Sequence, residues 1–166
     1  MTATTPHAML VDEVRAQINA NISGWDASYT LAEEWPAGGR NRWPHDLCIV
    51  RTGAASWREA DNEADFVTYR IEVLICTLTD DREEALEFLD KQCRAIKLML
   101  ADRASDQSPL RTNPLPTTSH NLASVNAAVH RIAVGSTVPA TVPQDQGMRH
   151  AVMLPLDVTT YETATG

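Results

Sequence analysis

The sequence predicts an α+β domain: a mostly antiparallel sheet of four to five strands with two helices packed on one face. Three observations carry that prediction. A strand-like segment runs from Ala64 to Leu78, with clean period-2 alternation in its first half. Two segments of helical periodicity, Ala8 to Ile22 and Asp81 to Leu100, lie on either side of it. Only the second helix falls between strands, so the order does not repeat as βαβαβ and a doubly wound parallel sheet is excluded.

In the first helix Leu10, Val11, Val14, Ile18 and Ile22 recur at helical spacing. Asp12, Glu13, Arg15, Gln17 and Asn19 occupy the expected solvent side. Pro6 near the start and Ser23-Gly24 at the end punctuate it. Two short strands follow, Ser28 to Glu33 and Asp46 to Arg51, flanking Trp35-Pro36-Ala37-Gly38-Gly39-Arg40-Asn41-Arg42-Trp43-Pro44. Its prolines and paired glycines predict a loop or open hairpin. Gly53 to Asn62, carrying Trp57, reads as a second loop.

The long strand places Val67, Tyr69, Ile71, Val73 and Ile75 on one face and Thr68, Arg70 and Glu72 on the other. Beyond Glu72 the second face also turns apolar, through Leu74, Cys76 and Leu78. That half is expected to be covered on both sides, either by its own chain or by a partner.

The second helix opens on Thr79-Asp80-Asp81, with Asp80 and Glu83 at capping-box spacing. Its stripe is Leu86, Leu89, Cys93, Ile96 and Leu100, widened by Phe88, Gln92 and Met99. Acidic residues precede basic ones along it, matching the helix dipole, and Glu87–Lys91 and Asp90–Arg94 are spaced for ion pairs. Ala104 to His120 is a polar, Pro-containing loop. Leu122, Val125, Val129 and Ile132 suit a helix, whereas Ala127 to Val134 suits a strand, the reading favoured for the second half; Gly135 to Gly147 reads as another long loop. A final strand, Arg149 to Glu162, carries Val152, Leu154, Leu156 and Val158 on one face. Pro155 on the other predicts an edge position or a bulge.

The 166 residues suit one domain, with 1–7 as a flexible leader and 104–120 and 135–147 as long loops. Fourteen basic against twenty-two acidic residues give a net charge of −8. That balance argues against a protein that grips a nucleic-acid backbone or an anionic membrane. With 43% hydrophobic residues the chain can form a packed core. Cys48, Cys76 and Cys93 form no CxxC pair and lie in apolar stretches, which predicts buried free thiols in a reducing compartment. Met1 to His7 lacks the basic start and apolar core of a signal peptide, and no apolar run reaches membrane-spanning length. Synthesis in the cytoplasm, with no membrane partner, is the expectation.

No nucleotide-binding glycine motif, nucleophile elbow or HExxH helix is present. Gly38-Gly39-Arg40 has no evident helix after it to complete a phosphate site. His7, His45, His120, His130 and His150 are scattered, without metal-ligand spacing. His45 and Cys48 would leave a strand on opposite faces. Asp80, Asp81, Glu83 and Glu84 have sufficient reason to be where they are as caps and dipole partners. The expectation is therefore no catalytic, cofactor or metal site. All four tryptophans lie between Trp25 and Trp57, in or beside loops and near Arg40, Arg42 and Arg58. Such residues either fold back on their own domain or anchor an interface. The candidate interface set is Trp35, Arg40, Arg42, Trp43 and Trp57, together with Leu74, Cys76 and Leu78.

Four segments, in this order, resemble the tail terminator (tail completion) proteins of long-tailed bacteriophages. They are the helix Met9-Leu10-Val11-Asp12-Glu13-Val14-Arg15-Ala16-Gln17-Ile18, the strand Phe66 to Leu78, the helix Asp81 to Leu100, and Val152-Met153-Leu154-Pro155-Leu156-Asp157-Val158-Thr159-Thr160-Tyr161. The likeness lies in the pattern of elements; the Trp-rich insertion and the two Pro-containing loops depart from it. It implies a virion structural protein of the tail or neck, made in the host cytoplasm. Such a subunit closes into a ring, commonly a homohexamer, that caps the tail tube and ends its polymerisation. The implied partners are other copies of the chain, the tail tube protein, the head-side connector or stopper and the tail sheath, with genomic DNA passing through unbound. The alternatives are another head–tail joining protein or, in a different class, a small dimeric cytoplasmic α+β binding domain or enzyme.

Overall fold

A computed structural model describes residues 5–24, 27–29, 46–61, 63–79, 81–100, 122–140 and 150–163. Helix α1 spans Pro6–Asn21. Thr5 caps it, its side chain accepting from the Ala8 N–H at 3.3 Å, and Pro6 fills the first turn, where no N–H is needed. The chain leaves through Ile22, whose N–H still reaches the Ile18 carbonyl, and turns at Gly24 with φ +102°. The five apolar residues expected to face inward are all buried. Glu13, expected in solvent, is buried as well, at 1% exposure. Its position explains this: it lies four residues after Met9 and three after Leu10, on the inward arc. The Gln17 amide donates to its carboxylate at 3.1 Å.

Strands β1 (Ala27–Tyr29), β2 (Asp46–Asp61), β3 (Ala64–Thr77), β4 (Ala127–Val134), β5 (Val138–Pro139) and β6 (His150–Thr163) form one sheet. The order is β1-β2-β3-β6-β4, with β5 also on β6. Every pairing is antiparallel except β1 with β2. The α+β expectation holds, with the short β5 raising the count to six.

Three expectations are corrected. Gly53 to Asp61 is not a loop: β2 continues through it and pairs with β3 to the Asp61↔Ala64 turn. Its mostly small and polar residues give no hydrophobic alternation, and most of these β2 side chains meet solvent. Gly135 to Gly147 contains β5, which pairs with β6 at Val138↔Met153 and Pro139↔Val152; residues 141–147 lie outside the described set. The final strand is interior, between β3 and β4, in spite of Pro155. Pro155 is tolerated because its backbone faces the point where β4 gives way to β5. Its carbonyl there accepts from the Gly135 N–H at 2.8 Å, and no β3 bond needs its missing N–H. Gly135 fits for the same reason, since a Cβ would lie 2.8 Å from the Pro155 ring.

Helix α2 spans Arg82–Leu100. Asp81 is its cap, accepting from the N–H groups of Glu83 at 2.8 Å and Glu84 at 3.3 Å; Asp80 is outside the described residues. The inward stripe is Ala85, Leu89, Gln92, Cys93, Ile96 and Leu100, and Leu86, expected within it, is 50% exposed. The helix rolls toward Gln92, whose amide donates to the Ser23 carbonyl at 3.1 Å, and this lifts Leu86 to the rim. Asp90 and Arg94 pair at 2.7 Å. A 3₁₀ turn, Leu122–Val125, precedes β4, resolving that segment as helical turn and then strand, with Asn126 at φ 55° between them. Residues 101–121, which include the Ala104–His120 loop, lie outside the described set.

The main core lies between both helices and the sheet face formed by Cys48, Val50, Val67, Tyr69, Ile71, Val73, Ile75, Ile132, Leu154, Leu156 and Val158. Fully buried Leu10, Ile18, Ile71 and Leu156 each contribute roughly 1.5–3 kcal/mol by leaving water. A second cluster, Leu47, Ile49, Leu74 and Cys76, sits on the opposite face.

Candidate interaction surface

Toward the β2–β3 turn, the sheet face away from the helices is open and is ordered by strand register. One row joins Arg58, Phe66, Tyr161 and Ala128, and the next joins Ser56, Thr68, Thr159 and Arg131. A bulge between Val129 and Arg131 inserts His130 and re-aims it to this face, where its ring packs 4.9 Å from Phe66. Phe66 also meets Tyr161 edge-on at 5.6 Å, and the Arg58 guanidinium lies 5.3 Å from its ring centre. Two shallow depressions, about 380 and 340 Å³, share Ser56 and Thr68; one is bounded by Arg70 and Asp157, the other by Phe66 and Arg131.

Cross-strand polar pairs stiffen the surface. Arg70 holds Asp157 through two bonds, 2.8 and 3.0 Å, and that hydrogen bonding raises the guanidinium above its ordinary value. Arg51 pairs with Glu72 at 2.8 Å, and the Thr68 and Thr159 hydroxyls meet at 2.9 Å. Arg58 and Arg131 form no ion pair among the described residues. At the hairpin tip Asp61 accepts from the Glu63 N–H at 2.8 Å and the Tyr161 hydroxyl at 3.1 Å. The backbone bond first, then the tyrosine, hold its carboxyl below the usual range. On the helix side the Tyr69 hydroxyl donates to Glu162 at 2.7 Å; burial and then that carboxylate push the phenol up. The His7 ring stacks 4.8 Å from Tyr69, and its Nε2 donates to the Arg70 carbonyl at 2.9 Å.

Of the residues expected at an interface, Trp35, Arg40, Arg42 and Trp43 lie outside the described set. Trp57 is in β2, 67% exposed, on the helix-side face. Leu74 and Cys76 are covered within the chain at 3% and 0% exposure, and Leu78 is half-buried just past β3. Phe66, His130, Arg131 and Tyr161 were not singled out from the sequence. Phe66 alone left a trace, as an aromatic on the polar face of an alternating strand; a bulge leaves none.

Cys48, Cys76 and Cys93 are free and buried. Desolvation pushes the Cys48 thiol far up and the Cys93 thiol to about 11, so neither is a poised nucleophile. Among the described residues no three His, Cys, Asp or Glu side chains gather as metal ligands, and no helix is long and apolar enough to cross a membrane.

No protein-family model matches this chain, and no curated protein does. Among solved structures it is similar to a chain of the "Virion of native gene transfer agent (GTA) particle". The two share 14% identity over 98% of this chain and all of the other, with a TM-score of 0.48.

Proposed function

We propose that this chain is a non-enzymatic structural subunit of a phage-like virion, acting as a tail terminator. In that role copies of the chain form a ring, commonly of six, that caps the tail tube, ends its growth and docks it to the head-side connector. The observation that carries the reading is the order of elements: α1, the β2–β3 ribbon, α2 packed on the sheet, and a closing strand. This is the order in which the sequence resembles the tail terminator family. The exposed Trp57 and the Arg58–Phe66–His130–Arg131 face supply contact chemistry suited to a protein partner. A net charge of −8 suits a ring through which DNA passes without adhering. Stopping growth requires one ring face that matches the tube end and another that does not reproduce it.

Light scattering and negative-stain imaging of the purified chain, alone and with tube protein, test the reading. Closed rings support it. A stable dimer that forms no ring even beside tube protein refutes it.

A further inference from the structure

We propose that this chain continues its sheet into a second copy head to tail, the outer edge of β2 pairing antiparallel with the outer edge of β4 of the next copy. The proposal rests on the reading that copies of the chain assemble, and it names the surface that joins them. Three geometric facts meet here.

Among the described residues, the two edges are unpaired over the same rows. β1 pairs with β2 at Leu47–Ile49, and on the opposite edge β5 covers the matching rows and ends in Pro139. Below these, Glu59, Asp65, Glu162 and Ala127 share one row, and Trp57, Val67, Thr160 and Val129 another. Ala55, Tyr69, Val158 and Ile132 share a third. The part of β2 that no described strand pairs on its outer side and the whole of β4 therefore stand level.

The backbone phases agree. Pro155 accepts from Gly135, and Thr163 donates to Asn126, so odd-numbered β6 residues turn their polar groups toward β4 and even-numbered ones toward β3. Following the alternation through the register, Ala55, Trp57 and Glu59 turn theirs outward from β2. Ala127, Val129 and Ile132 turn theirs outward from β4. Level pairing sets 59 against 127, 57 against 129 and 55 against 132, each pair exchanging both bonds. Because β2 and β4 run in opposite directions within the chain, two copies in the same orientation meet antiparallel, with their helices on one side.

The side chains agree too. Trp57 and Val129 lie on the same helix-side face, so pairing sets an aromatic, 67% exposed in the single chain, against a β-branched residue. A head-to-tail contact repeats, and closes into a ring where its rotation permits.

The test joins residues 57 and 129. Within one chain they are three strand spacings apart, about 14 Å, beyond the roughly 7 Å a disulfide can span. In the proposed pair their Cα atoms are about 5.5 Å apart. The double variant Trp57→Cys/Val129→Cys, mildly oxidised, is expected to give a ladder of covalent multimers with a mapped 57–129 link. Neither single variant is expected to cross-link. Glu59→Pro, which removes only an outward N–H, is expected to lose assembly while melting with the wild-type chain. Multimeric wild-type protein without the 57–129 link overturns this interface and leaves the assembly reading standing. Self-linking of Trp57→Cys alone shows two-fold β2 pairing and also overturns it. A wild-type chain that stays monomeric at all concentrations overturns both.

Discussion

Gly53 sits on β2 against Arg70 of β3, and a Cβ placed on it would lie 2.5 Å from Arg70 Cγ, 3.0 Å from its Cβ and 3.2 Å from its carbonyl oxygen. The nearest obstacle is a flexible stem, so Gly53→Ala forces the Arg70 side chain aside and away from its two bonds to Asp157. Overpacking of this kind costs about 1–3 kcal/mol. Loss of the half-exposed ion pair adds no more than about 1 kcal/mol, since solvent screens it. Against these stands a gain of about 0.4–1 kcal/mol from stiffening the unfolded chain, as Gly53 does not use the left-handed region. The net expectation is a loss of about 1–3 kcal/mol, read by urea denaturation, or several degrees in Tm. In an Arg70→Ala background the obstructing Cγ is gone, and Gly53→Ala should cost less than about 1 kcal/mol. Equal costs in the two backgrounds would refute the claim that Arg70 fixes the glycine and that this pair shapes the open face.

Other outcomes follow from the same geometry. Asp81→Ala removes the α2 cap and should cost about 1 kcal/mol in equilibrium unfolding. Tyr69→Phe should cost about 1.5–3 kcal/mol by the same measurement, because it deletes a hydrogen bond to the Glu162 carboxylate. Asp61 titrates lower in the folded chain than in the unfolded one, so its contribution is present above the unfolded value, about 3.9, and is lost as pH falls through the folded value. Carboxyl NMR should show that order, and Asp61→Asn should remove this pH dependence at the hairpin tip. All three buried thiols should resist an aromatic disulfide reagent at pH 8 and react on unfolding.

The elements that the sequence made legible are those whose side chains are sorted by the main core. The β3 alternation and the spacing of α1 are visible because one face of each meets that core. The segment 53–61 was not legible as strand, because its order comes from pairing with β3 and from no apolar pattern of its own. Pro155 pointed to an edge because a sequence records the missing N–H but not the direction it would face. Glu13 shows helical spacing prevailing over polarity, since its place on the inward arc buries it. Of the interaction surface Trp57 was visible as an aromatic outside any core stripe. The His130–Phe66 contact was not, since it depends on a one-residue bulge and a partner 64 positions away.

The central claim, that copies of this chain cap a growing tube, is tested most directly by polymerising tube subunits with increasing amounts of the protein and measuring tube lengths by negative stain. The account predicts that lengths shorten as the chain is added, with a ring at one tube end. Lengths that do not change, with no density added at either end, would contradict it.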